Sequence, residues 1–234
     1  MTAWKIHNTH RKTKNMAEQT STGVKPLGRA EMAARLAADI PEGWYVNLGV
    51  GIPTLIADHI PSSREVVFHS ENGILGMGPV PAPDKVDPWL ISAGRQNATL
   101  HAGGSFFHQA ESFAMIRGGH LDLSVLGAFE VAENGDIANW ATSENDFAPA
   151  VGGAMDLAAG AKRLWAIMEH TTKDGKPKLV KRCSYPLTAV NVVSRVYTNL
   201  AVLDVTPQGF KVVEMVPGLT LDALQAVTEA KLHS

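Results

Sequence analysis

The sequence contains very little of several features that define common protein classes. Cys183 is the single cysteine among 234 residues, so an internal disulfide framework is excluded and a thiolate metal site is not expected. No apolar run reaches the roughly 18 to 20 residues that a membrane-spanning helix needs. Neither sign of charge dominates, since 21 Lys and Arg oppose 23 Asp and Glu for a formal net charge of -2. The composition therefore gives no reason to expect nucleic acid or a membrane as a partner.

Two common ligand-binding patterns are missing as well. The nine histidines are scattered, and no two of them stand four residues apart, so we expect no histidine metal site. The turn NLGVGIP (47–53) begins like a dinucleotide fingerprint, but Thr54 occupies the position of its third glycine and Pro53 lacks an amide hydrogen. We therefore expect neither NAD nor any other bound cofactor.

The first 27 residues differ in composition from the rest of the chain. Up to Pro26 they carry five basic residues against one acid, Glu18, and they lack the apolar segment of a secretory signal. A mitochondrial transit peptide is disfavoured, because Arg11 is their only arginine. We expect residues 1–27 to form a disordered polar arm and residues 28–234 to form a single domain in a cytoplasmic protein.

The order of the predicted elements favours an α/β fold. Apolar residues at helical spacing predict a helix from Met32 to Ile40, and the strand WYVNLGVG, the short helix PTLIADHI and the strand EVVFHS follow. Residues 74–110 favour loops with short strands. Later segments predict strands at HLDLSVLGAFEV and LWAIMEH, a hairpin around Thr206–Gly209, and helices at AESFAMIRGG, GAMDLAAGAKR and TLDALQAVTEAKL. This alternation predicts a three-layer α/β/α fold around a mixed, mostly parallel central sheet.

Three glutamates occur in related short stretches, and one of them has a setting that suggests chemistry. Glu133 precedes Asn-Gly, a strong hairpin signal, and Glu144 lies in the polar stretch TSENDF, so both are interpreted as turn residues. Glu71 instead follows the apolar run VVFHS and precedes the apolar, glycine-punctuated stretch ILGMG. The carboxyl end of a central strand is where open α/β sheets bind ligands. Glu71 is there either a functional carboxylate or a buried carboxylate that caps its own loop.

Two glycine-rich turns accompany this glutamate. The first is NLGVGIP (47–53) and the second is AVGGAMD (150–156), and each precedes a predicted helix. Free backbone amides at such positions bind negative oxygens. For the second turn, close packing of a helix on the sheet explains the glycines equally well.

Five stretches resemble the class I CoA-transferases, specifically their β (B) subunits. They are VNLGVGIPTL (46–55), SENGILGMGP (70–79), ESFAMIRGGHLDLSVLGAFEV (111–131), GGAMDL (152–157) and YPLT (185–188), in the family's order. The resemblance extends from Arg29 to Lys231. The stretches GPVPAP, AVGGAMDL and VSRVYTNLAVLDVTPQG resemble the branch that acts on 3-oxoadipate. Ala150 departs from the glycine that many members have two positions before Gly152, and we interpret it as a marker of that branch.

The resemblance implies a mechanism, a site and a partner. Glu71 is the implied nucleophile, which carries CoA from succinyl-CoA to 3-oxoadipate as a glutamyl-CoA thioester. The implied oxyanion- and substrate-binding residues are Val50, Gly51, Asn72, Gly152 and Gly153. A separate α (A) subunit is implied, in an assembly of two subunits of each kind, with no metal and no bound cofactor.

Other functions fit parts of the sequence. A sugar-phosphate isomerase needs basic residues beside the turns at 49–53 and 70–78, where Lys and Arg are sparse. A noncatalytic subunit of the same fold is disfavoured by the intact Glu71 with its Asn-Gly neighbours. Transfer to acetoacetate or another short-chain acid stays open. Asp156, Arg117 and His120 are interpreted as structural groups at helix ends, with a supporting role at the site as the alternative.

Overall fold

The fold is built from thirteen strands and four α-helices in the residues that the structure, a computed structural model, describes, namely 23–143 and 150–234. The helices are α1 (Arg29–Asp39), α2 (Gln109–Arg117), α3 (Ala154–Gly160) and α4 (Leu221–Ala226), with 3₁₀ helices at Ile52–His59 and Pro83–Lys85. The strands are β1 (Tyr45–Leu48), β2 (Val67–Ser70), β3 (Ile74–Gly78), β4 (Thr99–Phe106), β5 (Leu123–Leu126), β6 (Glu130–Ala132), β7 (Ile137–Ala138), β8 (Leu164–Met168), β9 (Leu179–Val180), β10 (Val193–Thr198), β11 (Ala201–Thr206), β12 (Gly209–Met215) and β13 (Leu232–His233). Most of the predicted arm, residues 1–22, and Glu144 lie outside the described residues.

A ten-stranded sheet forms the centre of the molecule. Its order is β13-β12-β11-β10-β8-β5-β1-β2-β3-β4, and β10, β8, β5, β1 and β2 run parallel to one another. The flanking pairs β2–β3, β3–β4, β10–β11 and β11–β12 are antiparallel. The mixed, mostly parallel sheet predicted from the sequence is confirmed. A second sheet of three strands has the order β7-β6-β9.

Two hydrophobic cores cover the two faces of the central sheet. In β8, Trp165 and Ile167 belong to one core, whereas Leu164, Ala166 and Met168 belong to the other. This alternation follows from the two-residue period of a strand, which sends successive side chains to opposite faces. The first core contains the apolar stripe of α1, and the second contains Ile116 of α2, Leu157 of α3 and Leu224 of α4. The result is the predicted three-layer arrangement.

The helix α1 forms where the apolar spacing predicts it. Met32, Ala33, Leu36 and Ala37 are buried on one face. Its amino end is closed by the backbone amide of Gly28, which donates to the Glu31 carboxylate at 2.6 Å. Within residues 23–143 and 150–234, no helix is both long and apolar enough to cross a membrane.

Two predicted elements are wrong in extent. The segment HLDLSVLGAFEV is not one strand, because β5 ends at Leu126 and β6 belongs to the three-stranded sheet. The chain changes direction between them, and the Asn139 side-chain amide binds the Gly127 carbonyl there at 3.1 Å. The stretch 74–110 also contains β4, whose eight residues make it longer than the short strands expected.

The last helix is shorter than its sequence predicts. α4 ends at Ala226, and Leu232–His233 pairs with β12. The Gln225 amide nitrogen donates to the carbonyls of Thr228 at 3.0 Å and Ala230 at 2.9 Å, and its oxygen accepts from the Leu232 amide at 2.9 Å. These bonds occupy backbone groups that a continued helix would pair internally. The two predicted hairpins, β6–β7 and β11–β12, are confirmed.

Candidate functional site

The carboxyl ends of four neighbouring parallel strands open onto one cavity of about 530 Å³. Leu48 of β1, Glu71 after β2, Leu126 of β5 and Met168 of β8 all line it. Because β2 and β5 lie on opposite sides of β1, the order of the strands reverses at this point. Open α/β sheets bind their ligands at such reversals.

Glu71 projects into this cavity directly after β2. Burial raises the pKa of the Glu71 carboxyl, and the negative charge of Asp156 raises it further. No residue within 23–143 and 150–234 donates a hydrogen bond to the carboxylate or forms an ion pair with it. The loop-capping alternative therefore lacks its hydrogen bonds, since the Gly73 amide of the same loop donates to the Ser70 carbonyl at 3.0 Å. The carboxylate is basic, partly desolvated and open to a ligand.

The backbone of Gly153 lies directly against this carboxylate. A Cβ atom at Gly153 would stand 2.9 Å from Cδ and 3.1 Å from Oε1 of Glu71, closer than real Cβ atoms ordinarily approach. Gly153 precedes α3, whereas Glu71 follows β2, so the fold brings together two of the residues singled out in the sequence. Only glycine leaves the carboxylate room at this position.

Gly73 fixes the loop on the other side of Glu71. Its φ is 111°, a left-handed conformation that favours glycine. A Cβ there would lie 3.2 Å from the carbonyl carbon of Phe107 and closer still to its oxygen. The Phe107 amide donates to the Gly73 carbonyl at 3.1 Å, which ties the loop to the segment before α2.

Backbone amides of both glycine-rich turns are available near Glu71. Val50, Gly152 and Gly153 line the cavity, and Gly51 lies beside Val50 without lining it. The amides of these four residues have no acceptor within the described part of the chain. Free amides that face a reacting carbonyl are the usual means of stabilising an oxyanion.

Asn72 occupies a different position from the one that the resemblance implies. Its side chain is exposed, and its amide donates to the Ile91 carbonyl at 2.8 Å. It is not among the cavity-lining residues, whereas Ala93 and Gly94 of the same neighbouring loop are. In this structure Asn72 connects the loop after Glu71 to the loop at 91–94.

A buried chain of hydrogen bonds holds the end of β2 in place. Because the Asn47 amide nitrogen can only donate, its 2.9 Å contact makes His69 Nδ1 the acceptor. His69 Nε2 then donates to Ser112 Oγ at 2.7 Å, and that hydroxyl is 3.4 Å from the Ser70 carbonyl. The chain joins β1, β2 and α2 immediately before Glu71. Sequence analysis did not find this chain, because its partners are up to 43 residues apart.

Two buried histidines predict acid-sensitive stability. Burial lowers the pKa of His69 to about 4, and burial together with Lys178 lowers the pKa of His170 to about 4. The unfolded chain binds these protons near pH ~6.5, so each stabilisation is present above that pH and is lost as the pH falls towards about 4. We expect each histidine to contribute on the order of 3 kcal/mol to the loss. Urea unfolding as a function of pH measures it, and a His170→Gln variant that loses stability as steeply as the parent would contradict it.

Asp156 and Arg117 connect α3 to α2 as the structural interpretation predicts. Arg117 Nε donates to Asp156 Oδ1 at 2.7 Å. Asp156 also acts on the site, because its charge raises the pKa of Glu71. His120 is exposed and does not line the cavity. Glu133 lies in the tight turn between β6 and β7, away from the cavity lining, as its interpretation as a turn residue predicts.

The cavity contains residues that sequence analysis missed. Arg29, Glu169 and Lys178 line it, together with Asn139 and Trp140. Glu169 directly follows β8, so the rule that parallel strands end at one edge could have placed it there. Lys178 precedes the two-residue strand β9, which gave no detectable pattern. Among the described residues, no group of three His, Cys, Asp or Glu side chains is arranged to hold a metal ion.

Sequence comparison defines the class of protein. A sequence model of the family Coenzyme A transferase matches residues 29–226. The chain therefore belongs to the coenzyme A transferase family and is a transferase, as the resemblance indicated.

Particular relatives are similar over nearly their whole length. The chain is 57% identical to the β (B) subunit of 3-oxoadipate CoA-transferase from Pseudomonas putida over 211 residues, which are 90% of this chain and 99% of the relative. It is 47% identical to the β (B) subunit of succinyl-CoA:3-ketoacid coenzyme A transferase from Helicobacter pylori, over 88% of this chain and 98% of the relative. Glutaconate coenzyme A-transferase from Acidaminococcus fermentans has the same fold, with a TM-score of 0.66 at 16% identity over 89% of this chain and 87% of that one.

Proposed function

We propose that this protein transfers CoA from succinyl-CoA to 3-oxoadipate, with Glu71 as the nucleophile. The observation that carries the proposal is the position of the Glu71 carboxylate. It lies in the cavity against Gly153, without a donor or cation among the described residues, near free backbone amides. A carboxylate is a weak nucleophile, so desolvation and alignment must activate it. The raised pKa of Glu71 is in keeping with such activation.

The proposed cycle consists of four exchanges at carbonyl carbons. Glu71 attacks the succinyl thioester, the C–S bond breaks, and CoA leaves as the thiolate. The thiolate then attacks the Glu71 carbonyl of the mixed anhydride, so that succinate leaves and a glutamyl-CoA thioester remains. A carboxylate of 3-oxoadipate displaces the thiolate from Glu71, and the thiolate finally attacks the new acyl group and frees Glu71. No water, metal or bound cofactor takes part in this proposal.

The free amides have a defined task in this cycle. Every attack passes through a tetrahedral oxyanion, and one well-placed donor to such an oxyanion is typically worth about 3 to 4 kcal/mol. We assign this task to the amides of Val50, Gly51, Gly152 and Gly153. Asn72 supports the loop after Glu71 in the proposal, because its side chain is bonded to Ile91.

The choice of acid rests on the relatives. The similarity to the 3-oxoadipate enzyme of Pseudomonas putida is 57% identity, against 47% to the 3-ketoacid enzyme of Helicobacter pylori. Transfer to acetoacetate or another short-chain acid is therefore the second candidate. The names of both relatives denote one of two kinds of subunit, the β (B) kind. The proposal accordingly includes a separate α (A) subunit, two copies of each subunit in the assembly, and a cytoplasmic location.

Steady-state kinetics of the chain co-purified with its α (A) subunit test the proposal. Succinyl-CoA is the donor, and 3-oxoadipate and acetoacetate are compared as acceptors. We expect parallel double-reciprocal lines, as a ping-pong mechanism requires, and a kcat/KM at least about tenfold higher for 3-oxoadipate. A preference for acetoacetate would favour the second candidate, and no transfer to either acid would refute CoA transfer between these substrates.

The pH dependence of kcat/KM reports the pKa of Glu71 in the free enzyme. Activity should fall on the acid side as Glu71 becomes protonated. Because the charge of Asp156 raises the pKa of Glu71, Asp156→Asn should move this acid limb to lower pH. Arg117→Gln removes the cation that pairs with Asp156 at 2.7 Å, so it should move the limb to higher pH. Shifts in the same direction for both variants would contradict the electrostatic origin.

A further inference from the structure

Lys178 is a cation in the wall of the cavity that no part of the proposed cycle uses. It lies between two fixed backbone contacts: its amide donates to the His170 carbonyl at 3.2 Å, and its carbonyl accepts from the Val131 amide at 3.0 Å. Its Nζ donates to the Ala128 carbonyl at 2.9 Å. An ammonium group has three donors, so two remain for another partner.

The charge of Lys178 is poorly compensated by the protein. Glu130 and Glu169 are the acidic residues that act on it. Glu130 accepts hydrogen bonds from the Ser184 amide at 2.6 Å and from the Ser184 hydroxyl at 2.8 Å, and Glu169 pairs with Arg29 at 3.8 Å. No described carboxylate lies within ion-pair distance of Lys178 Nζ, and burial lowers the pKa of Lys178. A desolvated cation without a paired anion is costly unless a ligand supplies that anion.

Arg29 is the other cation that lines the cavity within the described part of the chain. Its side chain is 71% exposed and already pairs with Glu169. An ion pair with a largely solvated guanidinium contributes little. Lys178, half-buried and unpaired, is the better partner for an anion that enters the cavity.

We propose that Lys178 binds the second, unreacting carboxylate of a dicarboxylic acid and thereby selects dicarboxylates over monocarboxylates. This inference rests on the proposed function, because succinate and 3-oxoadipate each carry such a second carboxylate. One carboxylate exchanges CoA with Glu71, while the other pairs with Lys178 at a different part of the same cavity. Lys178 is a specificity-determining residue in this scheme and takes no part in bond making.

Binding of an unreactive acid tests the inference without turnover. Every variant is prepared as the complex with the α (A) subunit and carries Glu71→Ala, which removes both the repelling carboxylate and the proposed chemistry. Adipate and its uncharged diamide, adipamide, are titrated by isothermal calorimetry. We expect Lys178→Gln to weaken adipate binding at least tenfold and Lys178→Arg to restore it to within about threefold, because charge is what matters.

Two controls separate recognition from structure. Lys176 is exposed, pairs with Asp174 at 3.4 Å and does not line the cavity, so Lys176→Gln should leave the binding of adipate unchanged. Adipamide should bind to the Lys178→Gln complex as it binds to the parent. Equal weakening of both probes, unchanged binding of adipate, or no binding of adipate by the parent complex would overturn the inference.

The kinetic counterpart distinguishes this inference from the proposed function itself. In the complex with intact Glu71, Lys178→Gln should lower kcat/KM at least tenfold for succinate and 3-oxoadipate, and by less than threefold for butyrate. Failure of the proposed function would appear as absence of a CoA adduct on Glu71, while the effect of Lys178 on adipate binding persisted. Equal losses for dicarboxylates and butyrate would count against recognition by Lys178.

Discussion

Glu71→Ala should reduce CoA transfer by at least about a thousandfold while the complex with the α (A) subunit still assembles. Loss of a covalent nucleophile removes the reaction path itself, and comparable losses in other enzymes reach about a millionfold. Folding should tolerate the change, because no described residue donates a hydrogen bond to the carboxylate and its ionised form is disfavoured by burial. Initial rates with succinyl-CoA and size-exclusion chromatography measure the two effects.

Glu133→Ala is the matched control for this variant. Glu133 also precedes Asn-Gly, but it lies in the turn between β6 and β7 and does not line the cavity. Its removal should change the rate by less than about threefold. A comparable loss of activity in both variants, or full activity in Glu71→Ala, would exclude Glu71 as the nucleophile.

Gly153→Ala should reduce kcat by at least about a hundredfold. The added methyl carbon would lie 2.9 Å from Cδ and 3.1 Å from Oε1 of Glu71, so the carboxylate must move away from its position. A displacement of about 1 Å in a reacting group can lower the rate by about a hundredfold. The rate of enzyme acylation in a single turnover is the appropriate measurement, because it reports the step in which Glu71 attacks.

Gly127→Ala adds the same methyl group to another part of the cavity wall. No atom lies within 4 Å of the Cβ position at Gly127, so this variant should keep most of its activity. The contrast isolates the collision with Glu71 from a general effect of filling the cavity. Equal activity in Gly153→Ala and Gly127→Ala would show that the contact between Gly153 and Glu71 has no catalytic importance.

The strand–glycine–helix pattern predicted the site because it depends on local information. Apolar runs that stop at a glycine-rich turn mark the carboxyl ends of buried strands, and parallel strands end at one edge. The cavity therefore contains Val50, Glu71, Gly152 and Gly153, all of which the sequence singled out. The close contact between Gly153 and Glu71 could not be predicted, since it depends on how α3 packs beside β2.

Features that depend on distant partners were missed. His69 is held by Asn47 and Ser112, whose distance along the chain hides their contact. Lys178 lies in a polar stretch and enters the cavity because the backbone around it pairs with Val131 and His170. The early end of α4 has a similar cause, because Gln225 binds backbone groups that only the folded turn presents to it. Local propensity favoured a longer helix, and tertiary hydrogen bonds overrode it.

Mass spectrometry of the complex supplied with succinyl-CoA alone tests the central claim most directly. Without an acceptor acid, the cycle should stop with CoA joined to the side chain of Glu71 as a thioester. We predict that peptide mapping finds this adduct on the peptide that contains Glu71 and finds none in Glu71→Ala. An adduct on another residue, or continued transfer by a complex that never carries one, would contradict the account.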